Sequence, residues 1–224
     1  AQLGLKVALV EKGDLGGTCL HVGCIPTKAL LHAAEIADSA RDSEQFGGRA
    51  TLEGIDMAGV NSYKDGVVSR LFKGLTGLVK GRGVTVVAGE GRLTGPREVT
   101  VDGTAYTGRH VVLATGSYAR SLPGLEPDDR VVTSDAAISL DEAPRRVVVL
   151  GGGVIGCEFA SVWRSFGAEV TPGSAAALVI SCQRSSKLRI SGRQLRRGSP
   201  SGPSDHSGLY WMMVSIMDTG AGSR

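Results

Sequence analysis

The sequence predicts an α/β fold of strand–turn–helix units built on parallel sheets. Three observations predict it. The runs "LKVALVEK" (Leu5–Lys12), "RHVVLATG" (Arg109–Gly116) and "VVVL" (147–150) are short and rich in β-branched residues, as buried parallel strands are. Longer stretches between them have helical spacing. At "GGGVIG" (151–156) a strand runs into a glycine turn and then a helix-like segment.

Length and composition bound the rest. The 224 residues suffice for one large domain or two small ones. No apolar run reaches the roughly 18 residues of a membrane span, and no charged start followed by an apolar core marks a secretory signal. Four cysteines are too few for a secreted disulfide scaffold, so the expected location is a reducing compartment, the cytoplasm. The net charge of +3 is unevenly spread. Residues 1–171 carry 18 basic against 20 acidic side chains, and residues 172–224 carry 7 against 2. The later stretch also holds 11 of the 21 serines and shows no sustained period.

In chain order, "AQLG" reads as the end of a helix and residues 5–12 as a strand. Residues 25–41 read as a helix whose first turn holds Pro26, where a missing N–H costs nothing. Residues 56–80 read as a longer helix. "VTVVAGEGRL" and "EVTVDGTAYTGRHVVLATGS" read as strands and turns. Residues 145–171 read as strand, glycine turn, helix and the opening of another strand, which Pro172 ends.

Gly151, Gly153 and Gly156 fit G-x-G-x-x-G in the context that gives the pattern meaning. Such glycines allow a tight turn, close approach of a pyrophosphate, and close helix–strand packing. The ribose-binding acid expected about 20 residues on does not arrive before Pro172. Glu11 ends a strand, as a ribose-binding acid does, and the glycine turn that should precede it falls ahead of Ala1. The chain is therefore expected to be cut short at both ends.

"GGTCLHVGCIPTK" (16–28) holds Cys19 and Cys24. On a regular helix their Cα atoms would be ~8–9 Å apart, too far for a disulfide. A bond between them needs irregular backbone, which Gly16, Gly17 and Gly23 permit. A redox pair, a zinc site and two unconnected thiols all stay open, with zinc lacking two suitably spaced ligands. Cys24, at a helix start, is placed to be a thiolate. Cys157 and Cys182 read as a buried small residue and a tail thiol, and His21 and His32 as surface residues.

"GGTCLHVGCIPTKALLHAAE", "VVLATGS" and "VVVLGGGVIGCEFA" together resemble the class I pyridine nucleotide–disulfide oxidoreductases, most nearly the dihydrolipoamide dehydrogenases. The resemblance covers residues 1 to about 171. It implies an incomplete FAD-binding Rossmann-like domain at 1–142 and the start of an NAD-binding one at 143–171. It gives no account of 172–224, which reads as a low-order, non-native basic tail of the kind a shifted reading frame produces.

The resemblance also implies roles. Cys19 is the interchange thiol and Cys24 the thiol against the flavin, the two forming a redox disulfide. Lys28 and Glu158 pair beside the flavin. Glu11, Gly16, Gly17, Thr18, Lys28, Gly91, Ala114, Thr115, Gly116 and Ser117 contact FAD, and Gly151, Gly153 and Gly156 contact NAD. The implied reaction oxidises dihydrolipoamide and passes electrons through FAD to NAD+. The implied partners are a lipoyl-bearing acyltransferase of a 2-oxoacid dehydrogenase complex and, in the full-length family, a second copy; neither nucleic acid nor membrane is expected. The family's C-terminal dimerisation domain is missing, so the chain alone is expected to be inactive. Two alternatives stand: another disulfide reductase of the glutathione or mercuric type, and a non-catalytic FAD-binding fragment. A tail that binds nucleic acid is weakly supported, since its basic residues show no aromatic interleaving.

Overall fold

The computed structural model describes residues 1–119, 123–173, 179–183 and 213–217. The elements begin with β1 (Val7–Glu11), α1 (Gly17–His21), α2 (Cys24–Arg41), a 3-10 turn at Ser43–Phe46 and α3 (Met57–Gly81). Strands β2 (Thr85–Ala88), β3 (Arg92–Gly95), β4 (Glu98–Val101), β5 (Thr104–Thr107) and β6 (His110–Thr115) follow. Then come β7 (Val131–Val132), α4 (Ser134–Ala137), β8 (Arg146–Leu150), α5 (Val154–Ser165), β9 (Glu169–Gly173), β10 (Val179–Gln183) and β11 (Met213–Met217).

Among the described residues two four-stranded sheets organise the fold, in the orders β2-β1-β11-β6 and β7-β10-β8-β9. The strand pairs flanking the helical connections are parallel: β1 with β2, and β8 with β9. A third, antiparallel sheet, β3-β4-β5, turns at Asp102-Gly103, both with positive φ, as a tight hairpin requires. Val99 and Val101 alternate onto its inner face and pack with Ala8, Val10, Val87 and Val111.

The main core joins both halves of the chain. Leu30 and Ala34 from α2 share one apolar cluster with Val147 and Val149 of β8 and with Phe159, Val162 and Trp163 of α5. The spacing of Phe159, Val162, Trp163 and Phe166 puts them on one face of α5, which explains its full burial there. Each such side chain contributes about 1.5–3 kcal/mol by leaving water.

Helix α3 is mostly exposed and starts at an Asp56 cap, whose Oδ1 accepts from the Ala58 amide at 3.0 Å. It is fastened by two polar side chains one turn apart. Asn61 Nδ2 donates to the Leu140 carbonyl at 3.0 Å, and the buried Lys64 Nζ donates to the Ile138 carbonyl at 2.9 Å and Ser139 Oγ at 3.2 Å.

Two expectations are corrected, those for residues 1–4 and for the strand at Pro172. Residues 1–4 form a turn closed by the Gly4 amide on the Ala1 carbonyl. The strand expected to end at Pro172 continues to Gly173, in register with Val149 and Leu150. It lies at the edge of its sheet, where a residue without an N–H is tolerated. Beyond Gly173 the described residues are the short strands β10 and β11. β10 pairs antiparallel with β8, so β8 has neighbours on both sides. The expectation for residues 174–178, 184–212 and 218–224 falls outside the described residues. Sheet two also takes in β7, from ahead of residue 143.

Candidate functional site

The expected irregular backbone between the cysteines is present and consists of two helices separated by a break. Gly16 (φ 116°) and Gly17 (φ 57°) turn the chain through left-handed conformations into α1, a single turn carrying Cys19. Val22 and Gly23 interrupt the helix, and α2 begins at Cys24. The break works because Gly23 has no side chain: a Cβ there would lie 2.9 Å from the Thr18 carbonyl oxygen and 3.3 Å from Cys19 Cα. Thr27 Oγ1 closes the first turn of α2 on the Gly23 carbonyl at 2.7 Å.

This geometry sets Cys19 and Cys24, both free thiols, within hydrogen-bonding reach of one another. Burial pushes the Cys19 thiol above the ordinary range, with the neighbouring Cys24 thiol and the charge it would carry acting the same way. Lys28 pulls it down. Lys28 follows Cys24 by one helical turn, and its Nζ donates to Glu158 Oε1 at 2.5 Å, tying α2 to α5.

A cleft of about 470 Å³ opens at this point, between α2, the end of β6 and the starts of α4 and α5. It gathers Thr18, Cys24, Lys28, Ser117 and Glu158 of the expected site residues. Its mouth is apolar and exposed. Tyr118 is 95% exposed and Val154 75%, with Val22 and Ile155 beside them. Uncovered apolar side chains around polar groups suit a flat ring system with a polar edge, such as a flavin.

Other expected residues lie in separate places. Glu11 ends β1, and its Oε1 accepts from the Gly13 amide at 2.9 Å. Gly91 packs against that strand, since a Cβ would sit 2.9 Å from Val10 Cγ1. Ala114 and Thr115 end β6, and Gly116 (φ 80°) turns the chain toward Ser117. Gly151 (φ 119°) donates its amide to the Gly173 carbonyl at 3.2 Å, Gly153 caps α5, and Gly156 is buried within it.

Sequence reasoning missed α4 and with it Asp135, which lines the cleft and accepts from Thr133 Oγ1. The "TSD" start was the available signal. Two minor readings are corrected. Cys157 is exposed, because it lies on the side of α5 away from Phe159 and Trp163, and its Sγ lies 3.7 Å from the Gly152 carbonyl oxygen. His21 is half-buried, drawn inward by the Leu15 carbonyl and Phe72, whereas His32 is exposed beside Glu35. The side chain of Cys182 falls outside the described residues. Among the described residues no helix is long and apolar enough to cross a membrane.

A sequence profile described as pyridine nucleotide-disulphide oxidoreductase matches residues 1–186. Over 179 residues the chain is 45% identical to a leghemoglobin reductase of Vigna unguiculata and 45% identical to a mitochondrial dihydrolipoyl dehydrogenase of Pisum sativum. Each alignment covers 76% of this chain, and 34% and 36% of those relatives. A dihydrolipoyl dehydrogenase of Thermus scotoductus is 44% identical over 172 residues, covering 76% of this chain and 37% of that one. Among solved structures, LpdA of Mycobacterium tuberculosis superposes with a TM-score of 0.64 at 25% identity, covering 75% of this chain and 39% of that one. The HOCl-induced flavoprotein disulfide reductase RclA of Escherichia coli gives 0.63 at 29%, covering 76% and 37%. The chain thus spans little more than a third of the length of these relatives. With that profile matched over residues 1–186 and relatives 44–45% identical over more than 170 residues, the chain belongs to the pyridine nucleotide-disulphide oxidoreductase family.

Proposed function

We propose that this chain supplies the thiol pair and the cofactor-binding face of an NAD-dependent flavoprotein that oxidises dihydrolipoamide. In this reading residues 1–142 hold FAD and residues from 143 begin the NAD unit. The observation that carries it is the contact of Cys19 with Cys24 across the Gly23 break, on a cleft that also holds the Lys28–Glu158 pair. The names of the relatives favour dihydrolipoamide over other disulfide substrates.

The chemistry follows from thiol exchange. With Cys19 and Cys24 joined, a substrate thiolate attacks Cys19 Sγ, and Cys24 leaves as a thiolate. The second substrate thiol then attacks the substrate sulfur of the mixed disulfide, and Cys19 leaves. The substrate is now a disulfide, and its two electrons rest in the Cys19–Cys24 dithiol. Bound FAD supplies the route by which such electrons reach NAD+.

The chain's own residues serve this in distinct ways. Gly16, Gly17, Thr18, Gly116 and Ser117 leave backbone open to the cofactor near the cleft. Glu11 and Gly91 meet its ribose and adenine at the far end of β1, and Ala114 and Thr115 carry the strand-end contact. Gly151, Gly153 and Gly156 receive NAD. Lys28, held by Glu158, keeps a positive charge near the thiols and the ring. The implied partners are a lipoyl-bearing acyltransferase of a 2-oxoacid dehydrogenase complex and a second copy of the full-length protein, in the cytoplasm.

Thiol counting tests the reading. The air-oxidised chain treated with dihydrolipoamide, passed through a desalting column and denatured should show two more reactive thiols than the untreated chain. Peptide mapping should assign both to Cys19 and Cys24. An unchanged count overturns the proposal.

A further inference from the structure

His21 lies between the two cysteines and ends α1. Its Nε2 is 2.9 Å from the Leu15 carbonyl oxygen. A carbonyl only accepts, so Nε2 carries the proton and donates. The same ring meets Phe72 of α3 edge-on, with centroids 5.3 Å apart and planes at 69°. One side chain therefore fastens the entry of the thiol loop, its exit, and a helix outside it.

The loop needs such a fastener. Five residues are far too few for a helix to hold itself in water. The N-cap of α1 is Gly16, which offers no side-chain cap bond, and both glycines at the entry favour an open backbone when unfastened. A second anchor within α1 is the buried Leu20, which packs under Gly16.

We propose that His21 is a positioning residue that holds α1 so that Cys19 faces Cys24 at high effective concentration. The inference rests on the redox reading of that pair. His21 exchanges no electron and contacts neither sulfur in this account. It acts by restricting where Cys19 can go, so its loss disfavours ring closure and leaves the dithiol favoured.

The test equilibrates the full chain with mixtures of glutathione and glutathione disulfide. The protein dithiol and one glutathione disulfide give the protein disulfide and two glutathiones. Alkylation and mass spectrometry read the ratio. His21→Leu should lower the effective concentration about tenfold, which is about 30 mV for this two-electron couple. His21→Gln, which keeps an N–H at similar reach, should return it to within about threefold of the wild type. Val99→Ala, in the separate hairpin core, should lower the melting temperature and leave the ratio unchanged. Should His21→Leu fail to fold, Phe72→Leu removes only the ring contact and should shift the ratio in the same direction.

A His21→Leu ratio equal to the wild type, or an equal shift in Val99→Ala, overturns the positioning role while leaving the redox pair intact. A wild-type chain that forms no Cys19–Cys24 disulfide at any ratio overturns the redox reading, and this inference with it.

Discussion

Lys28 Nζ and Glu158 Oε1 meet at 2.5 Å across 130 positions of sequence. The lysine stands one turn after Cys24 in α2, and the glutamate one turn into α5, so the pair closes the cleft from both helices. The lysine is 57% exposed, and an exposed pair contributes at most about 1 kcal/mol to folding.

Lys28→Met should therefore cost less than about 1 kcal/mol in urea unfolding. It should still change thiol chemistry, because Lys28 lowers the Cys19 pKa. The pH midpoint of Cys19 alkylation should move upward in the variant. An unmoved midpoint would separate the pair from the thiols.

The wild-type Cys19 thiol is itself held above the ordinary range by burial and by Cys24. A raised pKa means that folding favours the protonated form. The associated stability is present below the unfolded thiol pKa and is lost as pH rises through the folded one. Thermal unfolding should therefore show the wild type losing stability relative to Cys19→Ser on the alkaline side of ordinary thiol titration, with parallel curves at neutral pH.

Gly23→Ala tests the break between the helices. Its Cβ would press on the Thr18 carbonyl and Cys19 Cα, both backbone atoms that cannot swing aside. The expected cost is about 1–3 kcal/mol. Disulfide yield in air should fall further than in a variant of matched stability elsewhere.

Lys64→Met removes a buried donor from the Ile138 carbonyl and Ser139 Oγ. A loss of about 1–3 kcal/mol is expected. Asn61→Ala acts on the neighbouring Leu140 carbonyl, so the double variant should be less than additive. Strict additivity in a denaturant cycle would show that the two side chains act independently.

Much of this fold is legible in the sequence because its punctuation is strong. Pro26 marks the first turn of α2, Asp56 caps α3, and "GGGVIG" turns β8 into α5. The less legible parts depend on distant partners. The single turn α1 has no local period, and it forms because Leu20 is buried and His21 reaches Leu15 and Phe72. Pro172 argued for the end of a strand, and only the position of β9 at a sheet edge makes it acceptable. The Lys28–Glu158 contact followed from family resemblance, since nothing in the local sequence joins the two helices.

The shared core has a consequence for how the chain is made. Leu30 and Ala34 share their core with Met57, made early, and with Phe159, Val162 and Trp163, which leave the ribosome some 130 residues later. At roughly 5–20 residues per second, the α5 part of that core arrives about 7–26 seconds after α2. During synthesis the apolar face of α2 is covered only in part until α5 emerges, whereas the thiol loop beside it finds its own anchors, Leu15, Leu20 and Phe72, much sooner.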